Sequence, residues 1–312
     1  MKRQFEIVAT IKENLKIIPK NLNEIYVDLI NHTFLLPEAG KNSEYVKLHR
    51  LLTKELNVDL SIDNACILEH DNSGARSDFF RANKLEGRMD VSIPFYTVTG
   101  LMQLIALSLC PSSKDIDYKK FLTPLYREIP FIILADQVFS GESLAGDCVA
   151  LRRLLNTFGA PPKQIIAAVC RGTNSGINSL SKVFDSVFVV DRIPGSMNVF
   201  SNDCKFFLAG SRGNEIKSLA NWFRINLVPK GGLIERMEDT LRDPKIGLWG
   251  VGSGGWLITT AGNTPNNSLP LLWHSPENNK YIAPYPRTSS RLYRDNDWNI
   301  RPLLWNIIEN KL

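Results

Sequence analysis

The sequence predicts an α/β protein: a parallel sheet with flanking helices, carrying an N-terminal helical segment and a C-terminal α+β addition. Short apolar runs, PFIILAD, QIIAAVC and SVFVVD, follow one another from Pro130 onward, each separated from the next by a helix-length segment. Strands that alternate with helices in this way build a parallel sheet covered on both faces, with right-handed crossovers. Composition agrees, since 312 residues at 44% hydrophobic and 22% charged are ample for a sizeable core.

Taken in order, residues 1–60 read as a helical segment. LNEIYVDLINHTF and SEYVKLHRLLTKEL place apolar residues three and four apart, as at Tyr45, Leu48, Leu51 and Leu52. Residues 61–205 form the expected core. ACILEH is a strand, DNSGARS a polar turn, and FYTVTGLMQLIALSL a buried helix. PFIILAD leads into the helix SLAGDCVALRRLLNTFG, closed by Gly159 and the pair Pro161-Pro162. QIIAAVC, the helix INSLSKVF and the strand SVFVVD complete the alternation. Residues 206–312 are expected to complete the same globule. IKSLANWFRINLV reads as a helix, IGLWGVGSGGWLITTAG as two strands around a glycine turn, and PLLWNIIENK as a closing helix, while NTPNNSLPLLW fits no regular element.

Several classes are set aside. No window approaches the roughly 18 consecutive apolar residues of a membrane-spanning helix. The start, MKRQFEIVATIKENLKII, is broken by Glu6, Lys12 and Glu13, so it is not a signal peptide and a cytoplasmic protein without membrane contact is expected. Five dispersed cysteines without C-x-x-C spacing suit neither disulfides nor zinc and read as reduced core residues. The net charge of +5 allows a polyanionic partner without demanding one. No P-loop and no G-x-S-x-G element occurs. GVGSGG (250–255) satisfies G-x-G-x-x-G but precedes the strand-like WLITT, where a dinucleotide site needs a helix, so a glycine-rich hairpin is expected.

The most informative stretch is ILADQVFSGES, Ile133 to Ser143: a buried strand, one carboxylate, then a hydroxyl-glycine loop running into a helix. Free N–H groups at a helix start, a glycine that lets backbone approach, and the Ser140 and Ser143 hydroxyls make a sound anion site. The same residues also serve as a turn at Gly141 and a cap at Ser143.

This stretch resembles type I phosphoribosyltransferases, which carry a strand, two adjacent acids, a short spacer and Thr-Gly-x-Thr before a helix. Asp136 matches the second acid. Ser140, Gly141, Glu142 and Ser143 fill the Thr-Gly-x-Thr positions, and Ala135 stands where the first acid belongs. The resemblance implies that Asp136 is catalytic, holding the ribose and stabilising its developing charge. It implies that Ser140 to Ser143 bind the 5-phosphate of phosphoribosyl pyrophosphate (PRPP), with Mg2+ carried by the ligand's phosphates. Upstream, Asp71-Asn72-Ser73-Gly74 resembles the Asp-Ser-Gly pyrophosphate loop of amidophosphoribosyltransferases with one residue inserted, so Asn72, Ser73, Gly74 and Arg76 would take the pyrophosphate. An ordinary polar turn accounts for the same residues. Arg81, Lys84 and Arg88 fall where that family has a mobile loop, and equally suit a solvated basic face. Two departures bear on activity. Ala135 removes one ribose contact, and Glu142 places a negative charge in the phosphate loop unless it points to solvent.

Asn263, Asn266 and Asn267, beside two prolines and Trp273, offer amides for reading a nucleobase, or a turn-dense segment packed by Leu269, Leu271 and Leu272. With the Asn-Ser-Gly loop, this segment is similar to phosphoribosyltransferase-like proteins of bacterial conflict systems. That implies an antiphage defence component or toxin effector, found in some retron operons beside a reverse transcriptase. Arg287, Arg291, Arg294 and Arg301 interleaved with Tyr285, Tyr293 and Trp298 suit a nucleic-acid-containing complex, a protein interface or plain surface. His70, next to the Asn-Ser-Gly loop, suits acid–base work. Two functions stay open: an enzyme that transfers or hydrolyses a ribosyl-phosphate group, and a non-catalytic sensor of a phosphorylated ribose or nucleotide that regulates a defence complex with a reverse transcriptase or nuclease.

Overall fold

The computed structural model describes residues 2–36, 41–57, 60, 65–70, 75–85, 97–108, 129–160, 164–204, 212–241, 245–251, 254–260, 267–276 and 281–285. Contacts divide them into two compact units. One gathers the described residues of Met1–Glu38 and Pro194–Arg291, the other those of Ala39–Ile193. These boundaries fall elsewhere than at 60 and 205, because the first two helices pack with C-terminal elements while the third belongs to the sheet.

The chain opens with α1 (Lys2–Asn14), α2 (Asn23–Asn31) and the short strand β1 (Phe34–Leu36). The sheet unit follows with α3 (Lys41–Leu56), β2 (Cys66–Glu69), α4 (Ala75–Asn83), α5 (Val98–Ser108) and β3 (Phe131–Val138). It continues through α6 (Glu142–Phe158), β4 (Ile165–Gly172), α7 (Asn174–Leu180) and β5 (Ser186–Arg192). Its four strands are all parallel and lie in sequence order, β2-β3-β4-β5.

Alternation along β3 divides the core into two layers. Phe131, Ile133 and Ala135 pack with Leu101 and Ile105 of α5 and Leu144, Cys148 and Leu151 of α6. Ile132 and Leu134 face Tyr45, Leu48 and Leu52 of α3 and Phe79 of α4. Burial on both faces is why these strands read as unbroken apolar runs. Asp185, just before β5, accepts from the backbone of Ile165 at 2.7 Å and from Arg152 of α6 at 2.9 Å, tying the last crossover to the sheet. Burial alone would raise its carboxyl, but those two donors bring it below the ordinary range.

The other unit adds α8 (Arg212–Asn226), α9 (Leu233–Leu241), α10 (Ile246–Trp249), β6 (Ile258–Thr260) and α11 (Pro270–Trp273). Tyr26 and Leu29 of α2 share a core with Leu219 and Phe223 of α8, and with Leu271 and Leu272. β1 pairs with β6, parallel, with Phe34 opposite Ile258. Buried Asn14 donates to the Tyr26 hydroxyl and to the Ile282 carbonyl, both at 2.7 Å, and accepts the Ile282 N–H.

IGLW is a helical turn, not a strand: Leu248 and Trp249 donate to the Lys245 carbonyl, and Glu238 caps the Gly247 N–H at 3.0 Å. Gly250, at φ +86°, ends the turn in a conformation that favours glycine. No hairpin follows, since Trp256 bridges Asn198 and Ser268 while Ile258–Thr260 pairs with β1. PLLW, expected to be irregular, forms the turn α11 with Pro270 at its start, where a missing N–H costs nothing. A four-residue apolar run carries no period, so helix and strand are indistinguishable in it. The expected closing helix PLLWNIIENK lies outside the described residues.

Candidate active site

Parallel strands bring all their carboxyl ends to one edge of a sheet, where open α/β sheets place ligands. Asp136 stands near that end of β3. Its position puts its side chain on the layer of Ile132 and Leu134, toward α3. There the hydroxyl of Tyr45, itself fully buried, donates to Asp136 Oδ1. Burial, then the neighbouring Asp136 carboxylate, push the Tyr45 phenol far up, so it stays protonated as a fixed donor. Asn83 holds the same turn of α3 by donating to the Tyr45 carbonyl at 3.2 Å. In the sequence Tyr45 is one more apolar residue of a helix stripe. Nothing in that stripe marks a hydroxyl that meets an acid from a strand far along the chain.

One residue earlier on α3, Glu44 pairs with Arg171 of β4, Oε1 to Nε at 2.5 Å, with both side chains largely buried. Burial raises the Glu44 carboxyl and the Arg171 partner offsets part of that rise. Arg171 lies level with Gln137 on one side and Asp191 on the other. The first turn of α3 therefore spans two strand ends, at Asp136 and at Arg171.

The loop after β3 is clamped by the loop after β4. Gly141 takes φ +75°, and a Cβ there would sit 2.7 Å from the Gly176 carbonyl. A Cβ on Gly176 would in turn sit 2.5 Å from the Phe139 carbonyl. Thr173 completes the clamp: its hydroxyl donates to the Phe139 carbonyl and accepts the Gly176 N–H. Neither glycine tolerates a side chain without moving backbone. Helix α6 then starts at Glu142 with no side chain capping it, so Ser143 does not act as the cap. Glu142 and Ser143 are exposed and Ser140 is half-buried. The charge of Glu142 thus points to solvent rather than into the loop. Thr173 and Gly176 are legible in the sequence only as another Thr-x-x-Gly after a strand, too weak a signal to single them out.

At the end of β2, beside β3, Glu69 is buried and its carboxylate accepts the backbone N–H of Arg76 at 3.1 Å, holding the start of α4. The Arg76 side chain turns back along the strand. Its Nε donates to the Ile67 carbonyl at 2.9 Å, and its guanidinium lies 4.5 Å from the Phe80 ring centroid. Asn72, Ser73 and Gly74 lie outside the described residues, but their loop is bracketed by His70 and Ala75 at this edge. His70 donates its backbone N–H to the Leu134 carbonyl, and its Nδ1 lies 3.2 Å from Asp147 Oδ2 of α6, within ion-pair range though not at a hydrogen-bonding angle. Arg81 is exposed and pairs with Asp78 at 3.4 Å, and Lys84 follows α4 at φ +55°. Arg88 lies outside the described residues.

The amide-rich segment belongs to the other unit. Asn267 spends its amide N–H on the Val251 carbonyl at 2.8 Å. Trp273 is buried and donates its indole N–H to the Ser268 carbonyl at 3.0 Å. Asn263 and Asn266 lie outside the described residues, as do the arginine-aromatic residues after Tyr285. Cys66, Cys148, Cys170 and Cys204 are buried free thiols, and burial lifts Cys66 to about 12 and Cys148 to about 11. Among the described residues no group of three His, Cys, Asp or Glu side chains converges as a metal cage. None of the described helices is long and apolar enough to cross a membrane.

A family model, PRTase-CE, matches residues 5–287, nearly the whole chain. The chain belongs to the PRTase-CE family. The crystal structure of TT1426 from Thermus thermophilus is also similar, at 13% identity and a TM-score of 0.30, over 57% of this chain and 95% of that one. No curated protein matches.

Proposed function

We propose that this PRTase-CE protein binds a phosphorylated ribose, PRPP or a nucleotide, at the carboxyl edge of its sheet. The observation that carries the reading is the delivery of Asp136 and a glycine-clamped loop to one edge, beside the strand end that starts the Asp71–Gly74 loop. The first-turn N–H groups of α6 and the Ser140 and Ser143 hydroxyls hold the 5-phosphate. Asp136 faces the ribose and offsets positive charge that develops at its C1 as pyrophosphate departs. Asn72, Ser73 and Gly74 receive the pyrophosphate, and Arg76 braces their loop. Catalysis of this kind is positioning and electrostatics. With Ala135 in place of a second acid beside Asp136, Mg2+ would be carried by the ligand's phosphates, which needs few protein ligands and would neutralise the departing charge. The biological setting in this reading is antiphage defence, with a reverse transcriptase or a nucleic-acid-containing complex as partner.

One observation favours a second reading, a non-catalytic sensor. The Tyr45 hydroxyl already satisfies Asp136 Oδ1, the atom a ribose hydroxyl would seek, and Ala135 supplies no second acid. Calorimetry with PRPP and Mg2+, followed by pyrophosphate release across nucleobases and nucleotides, separates the two. Binding with release supports the enzyme, and binding without release supports the sensor. In either case Asp136→Asn weakens binding about tenfold or more, the loss of one charge-assisted hydrogen bond. No binding of any phosphorylated ribose, together with an Asp136→Asn variant that behaves as wild type in a phage-challenge assay, overturns both.

A further inference from the structure

The face of the sheet opposite Asp136 carries a second polar pair that the reading above leaves unused. Cys66 and Leu68 of β2 face α5 and α6, so His70, next in that alternation, falls on the same side. Glu69 is level with Leu134, which brings His70 level with Ala135. His70 Nδ1 then meets Asp147 Oδ2 at 3.2 Å, with the aspartate side chain 7% exposed and the imidazole 22% exposed. Asp147 stands four residues after Ser143, on the same face of α6 and one turn deeper. Ala135 itself is buried among Val138, Leu144 and Val98. An acid at 135 would enter that apolar layer, whereas Asp147 brings a carboxylate to the same layer from the helix, with His70 as its neighbour. The approach places an imidazole and a largely buried carboxylate side by side at the carboxyl edge of the sheet.

We infer that His70 and Asp147 are an acid–base pair of the phosphoribosyl site, standing in on the opposite side of β3 for the acid that Ala135 lacks. This inference rests on the phosphoribosyl reading and deepens it in the direction of the enzyme. Asp147 is the positioning residue. An Nδ1–H···O bond made across this approach would fix the tautomer and leave Nε2 as the proton acceptor. In the step it serves, an acceptor N–H or O–H attacks ribose C1. Its lone pair forms the new bond, its proton passes to His70 Nε2, and the C1–O electron pair leaves with pyrophosphate. The acceptor belongs to the class of weak nucleophiles that need deprotonation, a ring N–H, a hydroxyl or water.

The alternative is that the pair only staples β2 to α6, and the variants are chosen to tell these apart. Asn at position 70 retains a donor where Nδ1–H stands but no acceptor where Nε2 stands. His70→Asn is expected to melt within a few degrees of wild type and to bind PRPP within about threefold, while pyrophosphate release falls about 100-fold or more. Asp147→Asn, which loosens the imidazole without removing it, is expected to lower release about tenfold. In the wild-type protein, PRPP should protect His70 from carbethoxylation by diethyl pyrocarbonate, read by mass spectrometry at that residue. Full release by His70→Asn, in a protein that binds PRPP, overturns the pair while leaving the pocket. Binding without any release by wild type does the same in favour of the sensor. No PRPP binding by wild type overturns the pocket and the pair together. Should His70→Asn fail to fold, an unprotected His70 in PRPP-bound wild type overturns the pair on its own.

Discussion

The two units bury their polar groups for different ends. In the sheet unit, the buried polar side chains among the described residues are Glu44, Glu69, Asp147 and Thr173. All four belong to one edge: the first turn of α3, the end of β2, the second turn of α6 and the residue after β4. In the other unit the buried set is Asn14, Glu238, Thr259, Ser268 and His274. Asn14, Glu238 and Ser268 hold backbone or side-chain partners from distant parts of their own unit. Desolvating a polar group costs free energy wherever it happens. One unit meets that cost at the sheet end that carries the proposed site, the other throughout its irregular interior, where polar groups substitute for regular hydrogen-bond ladders.

The largest expected effect on stability falls at Glu238. It receives two bonds from Arg224, at 3.1 and 2.6 Å, and one from the Gly247 N–H. Glu238→Ala leaves the buried Gly247 N–H unpaired and the partly exposed Arg224 without its partner, and is expected to cost about 2–3 kcal/mol, measured by denaturant unfolding. If Glu238 serves architecture alone, the variant still binds PRPP with wild-type affinity at low temperature. Gly176→Ala is the counterpart in the sheet unit. Its Cβ would press on the Phe139 carbonyl, so it is expected to cost about 1–3 kcal/mol and also to weaken PRPP binding severalfold by displacing the loop before α6. Calorimetry on the folded variant checks this, and unchanged affinity would separate the clamp from the site.

The smallest effect at neutral pH involves His274. Burial depresses its pKa from 6.5 to about 4, and its Nε2 is buried without a hydrogen bond. The folded protein therefore keeps it neutral where the unfolded chain would bind a proton. Its contribution is fully present above pH 6.5 and is lost as pH falls toward 4. Thermal melts followed through tryptophan fluorescence should show stability declining across that window, and a His274→Gln variant should decline less.

Legibility from sequence follows the same divide. β3, β4 and α6 are readable because strands buried on both faces and long amphipathic helices leave strong patterns, and β5, half-buried at the sheet edge, because its run SVFVV is rich in β-branched residues. The turn at Gly141 between strand and helix is readable because a glycine after an apolar run marks the turn, whereas what the loop holds is not decided by its residues. Tyr45 is not readable, since a phenol in an apolar stripe looks the same whether it packs or donates. Asp147 is hidden likewise in a helix whose polar residues read as solvated. In the other unit, four-residue runs such as IGLW and PLLW are too short to show a period, and tertiary partners such as Glu238 decide their form.

Strand order in the sheet unit matches chain order, so during synthesis each new strand emerges to find its neighbour already made. Helices α1 and α2 have no such fortune. The core that receives Ile25, Leu29 and Ile30 comes from residues beyond Pro194. These helices leave the ribosome before the sheet and dock late, after an entire sheet has been translated. A nascent chain stalled at Pro194 thus holds a four-strand sheet behind two helices whose apolar faces have no partner, a natural substrate for chaperones.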